Sequence, residues 1–343
     1  MTLKGVLLAA GEGTRMRPLT WCRPKGLVPV AGRPMLEHII AGLAAAGIRR
    51  ICAVIGYRGD QIVEHLGDGG RLGAELHYVR QEKPGGTGDA LLCAADFIGG
   101  DAFFLGWGDI MVPPANYRAI AAIHEAEGPE ALLSVNYVDD PWEGAAVYVT
   151  DRHVERIVEK PPRGTASTNF NNAGLFIFQP GIIEILRNTP LSPRGELEVP
   201  SAIQTLLERG TRIRAYQIEG YWSDVARPAE TLRIGAEIIR ARSRAGILIH
   251  PDARVSRSAQ LHPPVLIGPG VRIDAAQVGP NVCLMAGSAV GAGAMLTQVA
   301  AYPHASVGRG CRLTHSIVEE CVQVPDDGVV NGTASEVRVL EGA

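Results

Sequence analysis

Gly11, Gly13, Thr14, Arg15 and Lys25 are the residues of this chain whose types and spacing best suit work on a polyphosphate. They follow a short apolar run, Gly5 to Ala10, that reads as a buried first strand. Two glycines let the backbone turn sharply and approach a ligand more closely than a bulkier residue allows. Consecutive backbone N–H groups at such a turn make an anion-binding concavity, and Arg and Lys complement phosphate charge. The loop is neither of the two commoner glycine-rich loops. No Lys-Ser or Lys-Thr follows the glycines, as a P-loop requires, and Met16 stands where a dinucleotide fingerprint needs its third glycine. Taken alone, a turn of this kind is also ordinary strand-to-helix punctuation.

Further along, Asp109 closes the apolar run AFFLGWGD and Asp224 lies in Tyr221-Trp222-Ser223-Asp224-Val225. Two separate carboxylates suit Mg²⁺, which prefers oxygen ligands and is held by one or two carboxylates plus substrate phosphates. Gln81 offers an amide that both donates and accepts, as a pyrimidine edge requires, and Gly86 and Thr87 follow just before a helical pattern. Between the two aspartates lie Gly144, the triplet Glu159-Lys160-Pro161 and the run Asn171-Asn172-Ala173-Gly174. Each of these is also common turn or cap chemistry when read singly. Glu196 and Glu198 are assigned first to the start of a helix.

The order of these motifs, G-x-G-T-R-x-R-P with Pro24-Lys25, then Gln81 to Leu91, Gly108-Asp109, Glu159-Lys160-Pro161, Asn172-Ala173-Gly174 and Trp222-x-Asp224, resembles the sugar-1-phosphate nucleotidylyltransferases, the NDP-sugar pyrophosphorylases. The resemblance covers about residues 3 to 230. It implies transfer of a nucleotidyl group from a nucleoside triphosphate to a sugar 1-phosphate, with release of pyrophosphate and Mg²⁺ as cofactor. Arg15, Lys25 and Lys160 would be catalytic. Leu8, Ala10, Gly11, Gly13, Thr14, Gln81, Gly86 and Thr87 would bind nucleotide. Gly144, Glu159 and Asn172 would bind sugar, and Asp109 and Asp224 the metal. The Gln81 and Gly86-Thr87 pattern leans the base toward UTP or dTTP, with a hexose 1-phosphate of the glucose or N-acetylglucosamine type. A GTP-dependent mannose-1-phosphate guanylyltransferase and a non-catalytic nucleotide-sugar-binding regulatory subunit stay open as alternatives. Three residues depart from the family pattern: Ala10 replaces a glycine, Gly26 stands where proline is usual, and Trp107 is bulkier than expected.

The elements that must position these groups fall into two regions. Residues 1–245 alternate short apolar runs with amphipathic stretches of helical period, ending in an arginine-rich connector helix. This pattern predicts an α/β domain, a Rossmann-like, mostly parallel sheet covered by helices, with ligands beyond the carboxyl ends of its strands. Over residues 246–335 aliphatic side chains recur every six positions, from Ile249 through Val255, Leu261, Ile267 and Ile273, with slips of one residue before Val278, Val307 and Val318. A six-residue period matches a hexapeptide parallel β-helix, left-handed in the companions of this family. Its flat faces favour a homo-oligomer.

At 343 residues, two domains are the natural expectation. A net charge of −3 gives no basic footprint for nucleic acid. No apolar run approaches the roughly 18 residues of a membrane span, and the start MTLKGVLLAAG is not expected to act as a signal peptide. The six cysteines form no C-x-x-C pair, so neither zinc nor a disulfide framework is expected. The chain reads as a cytoplasmic protein.

Overall fold

Strand β1 (Lys4–Ala9) buries Val6 and Leu7 completely and lies between two parallel neighbours, which is why its sequence is apolar on both faces. The other strands of its sheet are β2 (Arg50–Ile55), β3 (Glu75–Arg80), β4 (Phe103–Trp107), β5 (Ala131–Tyr137), β6 (Ala145–Thr150), β7 (His153–Glu159), β8 (Phe170–Phe178) and β9 (Ile213–Gln217). They run in the order β3-β2-β1-β4-β8-β5-β9-β7-β6. The computed structural model describes residues 3–342. Among them the helices are α1 (Met35–Ala45), α2 (Gly59–Leu66), α3 (Thr87–Cys93), α4 (Ala95–Ile98), α5 (Ala115–Glu127), α6 (Ile182–Arg187), α7 (Val199–Glu208) and α8 (Pro228–Arg242). None is long and apolar enough to cross a membrane.

Parallel pairing holds for β3, β2, β1 and β4. Beyond β4 the sheet is mixed, with β8 antiparallel to both β4 and β5 and β7 antiparallel to both β9 and β6. For β6 and β7 the reason lies in their connection. Asp151 and Arg152, with φ of 47° and 63°, join β6 to β7 in a two-residue hairpin, too short for a crossover. One face of the sheet packs Val6, Leu105, Leu133 and Phe176 against Leu91, Ile98 and Ile203 in one continuous core.

The chain divides into two compact units. The first is residues 1–12, 24–26 and 36–222, and the second is residues 13–23, 27–35 and 223–343. The second unit therefore takes two short N-terminal segments as well as the tail. Its tail is a parallel β-helix. Ile249, Ile267, Leu284, Ala301 and Val318 stack in register on one face, and Val255, Ile273, Val290, Val307 and Val324 on a second. Leu261, Val278, Leu296, Leu313 and Val330 form the third. From Ile267 to Val318 each coil of the first face takes 17 residues rather than 18, which is the origin of the one-residue slips in the sequence. Left-handed backbone turns the corners, at Gly270, Gly287, His304 and Cys321 and again at Gln298 and His315. The apolar interior closes over Val265, Ile273, Val290, Leu296 and Leu313. Pro29 and Ala31, from the second N-terminal segment, line a small gap with Leu232 and Ile239 of α8 and with Cys283 and Val299 of the tail.

Candidate active site

The carboxyl ends of β1 and β4 carry the first cluster. Gly108 donates its N–H to Leu8 O at 2.8 Å, and Leu8 lies in register with Trp107. Tyr57 donates to Ala10 O at 3.2 Å, while a side chain added at Gly11 would meet nothing within 4 Å, so the loop opens onto free space there. Lys25 reaches Asp109, with Nζ 2.5 Å from Oδ2, and the two side chains are 13% and 26% exposed. Gly26, the departure from proline, packs under Leu36; a Cβ there would come 2.5 Å from Leu36 Cδ1. Trp107 fits by packing its ring against Phe176 in a tilted contact, centroids 4.9 Å apart, beside Gly174. Trp222 Nε1 donates to Ala173 O at 3.0 Å and closes the same turn.

Asp109 supplies a hard oxygen ligand, and among the described residues no group of three or more His, Cys, Asp or Glu assembles a cage. A single carboxylate of this kind fits Mg²⁺, which prefers oxygen ligands, keeps several waters and takes substrate phosphates as ligands. Gly13, Thr14, Arg15 and Asp224 belong to the second unit. Gly13 takes the left-handed conformation at φ 68° and caps a short turn over Thr14–Met16. Asp224 lies in the two-residue strand Ser223–Asp224.

The second cluster precedes α3. Gly86, at φ 97°, has no room for a Cβ because Leu197 O lies against it. Leu197 donates to Gly85 O at 2.9 Å, and Gly88 donates to Leu197 O at 2.8 Å. Thr87 Oγ1 accepts the N–H of Val199 at 3.1 Å. The hydroxyl expected to face a base is thus engaged in clamping this loop to the start of α7. Gln81 Nε2 donates to Asp89 Oδ2 at 2.6 Å and to Gly86 O at 3.3 Å, which fixes the amide with its nitrogen turned toward α3.

The third cluster surrounds Glu159. Lys160, at φ 43°, donates its backbone N–H to Gly144 O at 2.8 Å. Gly144 has no room for a side chain because Asn171 Oδ1 sits against it and accepts the N–H of Ala145 at 3.1 Å. Asn171, buried, also donates to Asn136 Oδ1 at 3.1 Å. Asn172 Oδ1 accepts the N–H of Gly174 at 3.0 Å and so shapes its own turn. Glu198 departs from its expected role. It stands at the N-cap of α7 but makes no capping bond, and its buried carboxylate instead takes Arg194. Arg194 also lies 3.8 Å from Glu159. Burial pushes the Glu159 carboxyl above the ordinary carboxylate range and Glu198 adds to the rise, while Lys160 and Arg194 oppose it. Glu159, Lys160, Arg194 and Glu198 share the lining of a cavity of about 520 Å³ with Leu191 and Pro200. Arg194 and Glu198 were not singled out as site residues by sequence reasoning. Their spacing of four was a signal, hidden because it also suits a helix start.

Comparison with known proteins places these clusters in context. The model of the nucleotidyl transferase family matches residues 4–239, and that of the GMPPB C-terminal domain matches residues 244–336. A glucose-1-phosphate thymidylyltransferase of Streptomyces antibioticus is 29% identical over 346 residues, covering 99% of this chain and 91% of that protein. A mannose-1-phosphate guanylyltransferase of Mycobacterium tuberculosis is 30% identical over 331 residues, covering 93% and 80%. Among solved structures, UDP-glucose pyrophosphorylase complexed with UDP-glucose aligns with a TM-score of 0.63 and 22% identity, over 71% of this chain and 100% of that one. At that identity the likeness is one of fold.

Proposed function

The protein belongs to the nucleotidyl transferase family, and on that premise we propose that it joins a nucleoside triphosphate to a sugar 1-phosphate, giving an NDP-sugar and pyrophosphate. The observation that carries this reading is the half-buried Lys25–Asp109 pair at the open end of β4, a cation and a metal-type ligand held 2.5 Å apart. A metal-bound triphosphate supplies both opposite charges at once.

In the reaction, a sugar-phosphate oxygen forms a bond to the α-phosphorus in line with the breaking bond to pyrophosphate. The attacking phosphomonoester has a second pKa of about 6 and is largely dianionic at neutral pH, so it needs no general base. Catalysis then reduces to positioning and charge neutralisation. Lys25 faces the triphosphate and the attacking group, and Lys160 faces the sugar phosphate. Arg15, Thr14 and the backbone of Gly11 and Gly13 hold the terminal phosphates. Leu8, Ala10, Gln81, Gly86 and Thr87 hold the nucleoside, and Gly144, Glu159 and Asn172 the sugar. Asp109 and Asp224 would hold Mg²⁺, which would supply charge neutralisation at the α-phosphate.

With Gln81 Nε2 committed to Asp89, the amide oxygen is the group left to meet the base, and it suits the imide N–H of uracil or thymine. This favours UTP or dTTP with a glucose- or N-acetylglucosamine-type 1-phosphate. The guanylyltransferase reading has its own support, since a guanylyltransferase matches along both regions of the chain and guanine also presents a ring N–H. The test is pyrophosphate release with Mg²⁺ across UTP, dTTP, GTP, CTP and ATP against common sugar 1-phosphates. Release requiring both substrates, strongest with UTP or dTTP, is expected. GTP as the best substrate overturns the pyrimidine reading, and release from no pair overturns the transferase. A homo-oligomer through the β-helix is part of the same reading, and sedimentation velocity would expose a monomer.

A further inference from the structure

We propose that the β-helix holds the phosphate loop in its working shape through a strut made of Arg23, Glu319 and Tyr302, and that Arg23 and Glu319 are positioning residues for triphosphate binding. The proposal rests on the reading that Thr14 and Arg15 meet the triphosphate. The segment from Gly13 to Arg23 is grouped with the β-helix, not with the nine-stranded sheet. At its end Arg23 makes a two-pronged contact with Glu319, Nη1 to Oε1 at 3.0 Å and Nη2 to Oε2 at 2.7 Å. The side chains are only 16% and 10% exposed, so water competes little for the pair. The guanidinium also lies over the ring of Tyr302, 5.3 Å from its centroid, and Tyr302 is 1% exposed. A planar fork stacked on an aromatic face fixes direction as well as distance, which a lysine cannot reproduce.

The two tail residues are themselves held. Tyr302 and Glu319 occupy the same corner in successive coils, 17 positions apart, just after the register partners Ala301 and Val318. Tyr302 donates its N–H to Val318 O and Glu319 donates to Leu340 O, each at 2.9 Å. The strut therefore ends on the ladder of the prism, not on a loose turn.

The other end is just as short. Thr20, 1% exposed, donates its hydroxyl to Gly13 O at 2.9 Å and closes the loop that carries Thr14 and Arg15. Within it Met16 donates to Gly13 O at 2.9 Å and Trp21 to Pro18 O at 2.9 Å. Only Trp21 and Cys22 separate that clasp from Arg23. A shift at Arg23 has little slack in which to dissipate before it reaches Gly13.

The test uses the full chain with Glu319→Gln, which keeps the shape and removes the charge, and Arg23→Lys, which keeps the charge and removes the fork. Hydrogen exchange is followed over residues 13–23 and over the coils. Binding of inorganic pyrophosphate with Mg²⁺ is measured by calorimetry, because that probe is independent of base and sugar. Both variants are expected to speed exchange over residues 13–17 and weaken pyrophosphate about tenfold, with exchange in the coils unchanged. Unchanged exchange over the loop overturns the proposal. So does faster exchange with pyrophosphate binding intact, or faster exchange spread through the coils, which would make the contact a general staple. If the unmodified protein itself fails to bind pyrophosphate, the phosphate-loop assignment falls and takes the proposal with it. That failure is distinguishable because it precedes any substitution.

Discussion

Lys25 and Asp109 neutralise one another in an ion pair, and under the proposed function Lys25 would serve the phosphates and Asp109 the metal. Under the proposed function, replacing Lys25 with Ala removes the cation that would face the reacting phosphates. Turnover is expected to fall by about 10² or more; near-normal turnover would remove Lys25 from the chemistry. Glu159 predicts a pH dependence. Its carboxyl is raised by burial first and by Glu198 second, so the folded protein keeps that proton to higher pH than the unfolded chain. The stability contribution of this group is therefore lost as pH rises through the window between the ordinary and the raised value. In the same window the ionised form appears, and sugar-phosphate affinity should improve with pH. Glu198→Gln is expected to move this transition toward the ordinary carboxylate range in a KM-versus-pH profile, and an unmoved transition would contradict the coupling. Tyr302 makes a simpler case. Its hydroxyl is buried without a hydrogen-bond partner among the described residues, so Tyr302→Phe should leave stability unchanged or raise it by up to about 1 kcal/mol. A clear drop in melting temperature would show that the hydroxyl is engaged.

At the level of elements, the loop before α3 is the most constrained. Gly86 combines a positive φ with a neighbouring carbonyl, so Gly86→Ala should destabilise the fold by about 1–3 kcal/mol and raise the KM for the nucleotide more than that for the sugar phosphate. Equal rises would argue that the clamp to α7 is not part of nucleotide binding. Much of this architecture was legible in the sequence because it is periodic. Buried parallel strands read as apolar runs, and the six-residue recurrence announced the prism. What stayed hidden was local or distant. Ala301 completes the first face with a bare methyl, so a search for Val, Ile and Leu anchors passes over it. The hairpin at Asp151-Arg152 sets β6 and β7 antiparallel, although its residues carry no glycine to advertise positive φ. Thr87 offers its hydroxyl to Val199, a partner 112 residues away that no local motif discloses. Arg23 and Glu319 are 296 residues apart, and no spacing rule could pair them.

For the whole molecule, the important fact is that the second unit is built from three separate stretches of chain. A protein truncated after residue 245 would lose the coils against which Pro29 and Ala31 pack, and Arg23 would lose Glu319. Such a truncation is expected to lower the melting temperature and to cost pyrophosphate affinity, even though all nine strands of the main sheet remain. Full pyrophosphate binding by the truncated chain would show that the tail contributes nothing to the loop. Within the tail, Leu284→Ala opens a void in a closed apolar interior and should cost about 2–5 kcal/mol. Thermal unfolding reads that loss, and its absence would mean the coils repack freely.

The 17-residue coil gives the tail something like a reading frame. A residue inserted within one of the short strands swaps its inward and outward side chains, whereas a whole duplicated coil keeps the pattern and lengthens the prism by about 4.8 Å. The frame is not free along its length. Gly32 meets the coils at Leu266 and Arg23 meets them at Glu319, so the N-terminal segments measure off a fixed number of floors between those points. An extra coil inside that interval would lift Glu319 one floor out of Arg23's reach, while one added beyond Glu319 would leave the spacing intact. Growth and shrinkage of this tail are thus quantised in whole coils and confined to its far end.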